Sequence, residues 1–171
     1  HGYEEWGEHL PDHLDGMFAF AVFDNQRRRL FLARDRFGKK PLFYTSQPGL
    51  FAFASELTAL ERHSGLQPSL DAGALRKFFA YNFFPAPLTP FKGVYKLPGG
   101  HCATVGVQED FQPTTRRYWR FRIEPFSRVP ARAAEEWGEQ VRHLLEAAVR
   151  RRLESDVPLG FLLSGGIDSS A

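Results

Sequence analysis

Two successive antiparallel hairpins early in the chain, and an amphipathic helix that leads through an apolar stretch into a glycine turn at its end, predict a protein of mixed class. The expected fold is an α+β part built on antiparallel sheet, followed by the start of an α/β, doubly wound domain. The first part rests on short apolar runs separated by turn formers. The second rests on the order helix, apolar strand, glycine loop and next helix, with which an open parallel sheet begins. A hydrophobic content of 43% with 17 Phe supplies a core, so the chain is globular and not disordered.

Residues 16–24 (Gly-Met-Phe-Ala-Phe-Ala-Val-Phe-Asp) alternate large Phe with small Ala, which suits a strand. A polar turn, Asn25-Gln26-Arg27-Arg28, leads to a second strand over residues 29–34. Residues 41–45 and 50–54 form a second pair around Gln47-Pro48-Gly49. Residues 55–61 read as a short helix opened by a Ser55 cap, and Ser55-Glu56 is most simply that helix start. After a loop over 63–73, Asp71 can cap a helix reaching Tyr81, which Phe83-Phe84-Pro85-Ala86-Pro87 ends. Strands are expected over 94–97 and 101–107 around Pro98-Gly99-Gly100. The stretch 108–128 is mixed, with Tyr118-Trp119-Arg120-Phe121 extended. The clearest helix spans 131–154, where Trp137, Val141, Leu144, Leu145, Ala148, Val149 and Leu153 make one apolar stripe that reads as core packing. Arg150, Arg151 and Arg152 fall in its last turns, where the helix dipole favours cations.

The final segment carries the chemistry. Pro158-Leu159-Gly160-Phe161-Leu162-Leu163 reads as a buried parallel strand. It runs into Ser164-Gly165-Gly166-Ile167-Asp168-Ser169-Ser170. Paired glycines let the backbone approach a ligand, and a helix start beyond them presents free N–H groups to anions. No Gly-Lys-Ser/Thr is present, so this is not the usual P-loop. Phosphate charge would be met by backbone N–H groups, serine hydroxyls and a metal ion tethered near Asp168. The string resembles the pyrophosphate-binding loop of the N-type ATP pyrophosphatases, which cut ATP between its α and β phosphates.

Composition narrows the remaining classes. Net charge is only +2, and the arginine clusters at 27–29 and 150–152 lack a stacking aromatic array, which argues against nucleic acid. The single Cys102 excludes an internal disulfide framework and a cysteine-based zinc site. His1, His9, His13, His63 and His143 show no metal-ligand spacing. No stretch is long enough to span a membrane and no signal peptide is visible, so a cytoplasmic location is expected. Starting at His1 and stopping inside a nucleotide loop, the chain reads as a piece of a longer protein.

Three blocks of the sequence point to one family. Residues 15–24, then Ala33-Arg34-Asp35-Arg36-Phe37-Gly38-Lys39-Lys40-Pro41-Leu42-Phe43-Tyr44 with Phe53-Ala54-Ser55-Glu56-Leu57, resemble the rear of the glutaminase domain of glutamine-dependent asparagine synthetases. Residues 84–101 are similar to their connector, and the glycine loop to the opening of their synthetase domain. Gly99 departs from the pattern, which has a second proline there, and is expected to alter only a turn. The resemblance implies an N-terminal-nucleophile hydrolase-type sandwich of antiparallel sheets between helices over residues 1–115, present in part. The start of an ATP-pyrophosphatase domain would then span 116–171.

It further implies a ligase that amidates aspartate through β-aspartyl-AMP with ammonia from glutamine, releasing AMP and pyrophosphate. ATP and Mg²⁺ are the implied cofactors; aspartate, glutamine and ATP are the partners, without nucleic acid or membrane. Oligomeric state is left open, a homodimer included. Gly165 and Gly166 should offer N–H groups to the departing phosphates, and Ser164, Ser169 and Ser170 their hydroxyls. Leu163 should approach the nucleotide through its backbone, and Asp168 should hold Mg²⁺. No catalytic residue is assigned: the family's nucleophile is an N-terminal cysteine, and Cys102, in the connector, reads as a small, partly buried hydrophobe. The 171 residues alone are expected to carry neither activity.

Two further features allow either reading. Arg34, Asp35 and Arg36 either line an ammonia path or domain seam, or form an ion-pair cluster that orients Gly38-Lys39-Lys40-Pro41; the structural reading is the simpler. His101 either contacts substrate or is a hydrogen-bonded turn residue. Other carboxylate acceptors, and a non-catalytic remnant, remain open alternatives.

Overall fold

The computed structural model describes residues 1–107, 110–125 and 133–170, with the backbone alone at Asp168 and Ser170. The chain forms two compact units, His1–Arg122 and Ile123–Ala171.

In the first unit, two antiparallel sheets are built by period-two alternation. One has the order β1 (Ala19–Asp24), β2 (Arg29–Arg34), β6 (His101–Gly106), β7 (Thr114–Arg117). The other has the order β4 (Leu50–Ala54), β3 (Phe43–Gln47), β5 (Val94–Lys96). On β2, Leu30 and Leu32 face one way and Phe31 and Ala33 the other. Register carries this across the sheet: Leu32 opposes Ala103, Leu30 opposes Val105, and Ala33 opposes Cys102. Leu32, Ala103 and Val105 are buried with Leu42 and Leu97, and Ala19, Ala21, Tyr44 and Phe51 close over them from both sheets. This is the core between the sheets.

The outer faces are covered separately. Phe31, Ala33 and Cys102 pack with Tyr3, Phe18, Phe20 and Tyr118. Tyr3 comes from α1 (Gly2–Trp6), which continues into a 3-10 helix, Gly7–His13. On the other sheet, Val94, Leu60 and Leu66 pack with Phe43, Leu50, Ala52 and Leu57. Leu57 and Leu60 belong to α2 (Leu57–Glu61). The result is helix, sheet, sheet, helix: an α+β fold with antiparallel sheets.

Both expected hairpins form. The Asp24 carboxylate accepts from the Arg27 amide at 2.9 Å and so ties the first turn. Gly49, at φ 77°, closes the second after Pro48. The helix expected from Asp71 is α3 (Ala72–Tyr81), and the Asp71 carboxylate accepts from the amides of Gly73 (2.8 Å) and Ala74 (3.1 Å). Strands 94–97 and 101–107 form as β5 and β6, but they enter different sheets, so Pro98-Gly99-Gly100 carries the chain between layers.

Several expectations are corrected. Ser55 does not cap α2: Glu56 is the N-cap residue, without a side-chain hydrogen bond. The strand in this stretch is β7, just before the segment 118–121, because Arg116 and Thr114 pair with Cys102 and Thr104. The helical start before β1 is a finding; Gly2, Gly7 and Pro11 weaken its periodic signal.

The second unit contains α4 (Ala133–Arg150) and α5 (Ile167–Ser170). Residues 131 and 132, where that helix was expected to begin, lie outside the described residues, as do 108, 109 and 126–128 of the mixed stretch. The stripe expected as core is largely open: Val141, Leu144, Leu145 and Val149 are all exposed. The strand expected over 158–163 carries no ladder, and Leu162 is 98% exposed. A parallel strand needs neighbours in a sheet, and the described residues of this unit supply none.

Candidate functional site

Glycine and serine shape the loop that begins at Ser164. Gly165 sits at φ 76°, a conformation that strains any residue with a Cβ. The turn folds the loop back on α5. The Ser164 amide donates to Ser169 Oγ at 3.2 Å, the two hydroxyls lie 2.9 Å apart, and Ser169 Oγ donates to the Gly166 carbonyl at 3.1 Å. A Cβ built on Gly166 would lie 3.5 Å from Ser164 Oγ. Two hydroxyls and a glycine backbone thus converge at the start of a helical turn, held by hydrogen bonds to one another.

Each expected residue has a stated place. Ser164, Gly165, Gly166 and Ser169 meet in this turn, and Leu163 precedes it, exposed. Asp168 and Ser170 belong to α5, and the roles expected of their side chains lie outside the described residues. Among the described residues, no group of three or more His, Cys, Asp or Glu could hold a metal ion.

In the first unit, Arg34 and Asp35 form a knot whose partners are backbone groups. Arg34 donates from Nε to Lys40 O, from Nη1 to Leu97 O and from Nη2 to Gly38 O, each at 2.6 Å. Asp35 accepts from the amides of Phe37 (3.2 Å), Lys39 (2.9 Å) and Lys40 (2.9 Å). The structural reading holds, with one correction: the pair orders loop 36–40 through carbonyls and amides where an ion-pair cluster was expected. Burial lowers the Arg34 pKa, and the neighbouring Asp35 charge opposes that shift.

The connector locks onto the same knot. Gly100 N donates to Asp35 O at 2.9 Å, and Tyr118 Oη donates to Arg34 O at 2.7 Å. A Cβ on Gly99 would lie 2.8 Å from Gly38 N and 2.9 Å from Arg36 O. The departure at Gly99 therefore reaches beyond a turn: bare backbone lets two loops touch. Tyr118 was missed as a member of this knot, because its partner lies 84 residues away in sequence. Burial, chiefly, raises the Tyr118 pKa.

His101 Nδ1 lies 2.8 Å from Gly99 O, which makes it the hydrogen-bonded turn residue. Cys102 is 2% exposed, donates weakly to Arg116 O at 3.5 Å, and has its thiol pKa raised by burial. It is a packed hydrophobe, as its place in the connector suggested. No described helix is long and apolar enough to cross a membrane.

Comparison with known proteins follows the same division. The family described as "Glutamine amidotransferase domain" matches residues 1–119, and that described as "Asparagine synthase" matches residues 140–171. "Asparagine synthetase [glutamine-hydrolyzing] 3" of Bacillus subtilis is 39% identical over 100% of this chain and 27% of its own length. "Amidase chry2" of Gibberella zeae is 36% identical over 99% of this chain and 24% of its own. "Asparagine synthetase [glutamine-hydrolyzing] 1" of Bacillus subtilis is 33% identical over 98% of this chain and 26% of its own. The chain thus spans about a quarter of the length of these relatives. With the layered antiparallel sheets and a match over most of its length, the chain belongs to the glutamine amidotransferase domain family.

Proposed function

We propose that this chain is part of a glutamine-dependent asparagine synthetase: an enzyme that adenylates aspartate with ATP and amidates β-aspartyl-AMP with ammonia taken from glutamine. The products are asparagine, AMP and pyrophosphate. One observation carries the reading. An amidotransferase domain is followed, in one polypeptide, by an asparagine-synthase match that ends in the Ser-Gly-Gly-Ile-Asp-Ser turn. The full N-terminal-nucleophile architecture and a cytoplasmic setting belong to the same proposal.

Adenylation suits the chemistry, since a carboxylate is a poor electrophile and an acyl phosphate supplies a leaving group. In this reading Gly165 and Gly166 direct N–H groups at the β and γ phosphates, and Leu163 passes the nucleotide with its backbone. Ser164, Ser169 and Ser170 donate hydroxyls to the same oxygens. The convergence of Ser164 and Ser169 supports that role. Asp168 holds Mg²⁺, which when bound neutralises phosphate charge. Positioning and charge neutralisation then account for most of the rate.

The test is Asp168→Asn in the intact protein, with glutaminase and aspartate-dependent pyrophosphate release followed side by side. Pyrophosphate release should fall to background while glutamine hydrolysis persists. Undiminished release in the variant overturns the role of Asp168, and wild-type release that needs no aspartate overturns the substrate. A second reading keeps the mechanism and changes the acceptor to another carboxylate. A scan of carboxylates in the same assay separates the two.

A further inference from the structure

We infer that the outer face of the four-stranded sheet, at the end bearing the β1–β2 turn, holds a pocket for a small oxyanion, a phosphate or a carboxylate, between Arg29 and Arg116. The inference stands independently of the synthetase reading.

Strand register builds the pocket. Phe31 opposes Thr104, and Thr104 opposes Thr114, across β2, β6 and β7. Arg29 lies two residues before Phe31 and Arg116 two after Thr114, so alternation brings both arginines to the face that carries the two threonines. Arg29 opposes Gly106, which leaves the sheet surface bare at that point. The outcome is a hollow of about 430 Å³, whose lining includes Arg27, Arg29, Thr104, Gln112, Thr114 and Arg116.

Glu8, from the 3-10 helix, sets both principal guanidinium groups. Its carboxylate lies 2.8 Å from Arg29 Nη1, and its backbone carbonyl accepts from Arg116 Nη2 at 2.7 Å. Arg27 is turned by the Asp24 carboxylate at 3.0 Å. The guanidinium of Arg29 is incompletely satisfied: its Nε is buried without a hydrogen-bond partner and lies 3.8 Å from Asp24.

The lining is rich in donors, guanidinium N–H groups and two hydroxyls, and Glu8, the one carboxylate among its described residues, is already engaged. A cation would sit among three arginines. An oxyanion would instead meet the forked N–H geometry that pairs with phosphate and carboxylate groups.

The experiment is calorimetric titration of the intact protein with inorganic phosphate and, separately, with succinate, against chloride at matched ionic strength. Saturable uptake of at least one is expected, about tenfold weaker in Arg116→Gln, as loss of one charge-assisted hydrogen bond requires. Thr104→Val, which keeps every guanidinium and nearly the same volume, should weaken it less and serves as the readout if Arg116→Gln does not fold. Uptake of phosphate alone or succinate alone identifies which oxyanion the pocket takes. No saturable uptake of either below about 10 mM overturns the inference. Uptake unchanged by the substitutions overturns it too, because the anion then binds elsewhere.

Discussion

Asp24 shows how one carboxylate organises a turn. The Arg27 amide, first, and then its guanidinium hold the Asp24 carboxyl below its ordinary value of 3.8. Tyr3 Oη donates to the same group at 3.3 Å, which links the turn to α1. A depressed carboxyl contributes stability that is fully present above the unfolded value and is lost as pH falls through the folded one. Asp24→Asn should therefore lower the melting temperature at pH 7, and the gap to wild type should close below about pH 4. Melting curves of the intact protein across that range check it; a gap that is constant with pH would refute the linkage. The sequence shows Asp24 at the end of an apolar run with Arg27 three residues on in the turn, but the anchor at Tyr3 lies 21 residues away and only the fold brings it in.

At the scale of elements, α3 and the α2 start make an instructive pair. Both were expected to open on a side-chain cap. Asp71 fulfils it, because its carboxylate reaches two free amides at once. Ser55 fails because the chain stays extended for one residue more, through Glu56 at φ −124° and ψ 139°. Removing a working cap costs about 1 kcal/mol. Asp71→Ala should destabilise the intact protein by about that amount, measured by denaturant titration, whereas Ser55→Ala should be near neutral. The hairpins were legible for a related reason: alternation and turn residues are local. β7 was not, since Thr114-Thr115-Arg116-Arg117 has no apolar alternation and becomes a strand only by pairing with β6.

For the whole molecule, the core between the sheets is the feature on which the first unit depends. Leu32, 1% exposed, sits in the sheet β1-β2-β6-β7 and packs in one cluster with Leu42, Leu97, Tyr44 and Phe51 from the chain around the other. Leu32→Ala should cost about 2–5 kcal/mol, because neither sheet can collapse into the space without losing register. Denaturant melts of the intact protein test this, and a loss below about 1 kcal/mol would show that the sheets reseat.

The sequence by itself determined the local devices: two hairpins, the capped α3, the amphipathic α4, and the Ser-Gly-Gly-Ile-Asp-Ser turn. Each is written within a few consecutive residues, where backbone preference and side-chain period decide the outcome. Only the tertiary structure decided which sheet β5 and β6 join, that Arg34 and Asp35 act on backbone groups, that Gly99 packs bare backbone against Arg36 and Gly38, and that Arg29 and Arg116 share one face. These outcomes depend on partners distant in the chain, and the same arginine or leucine reads alike in sequence whatever the fold sets beside it.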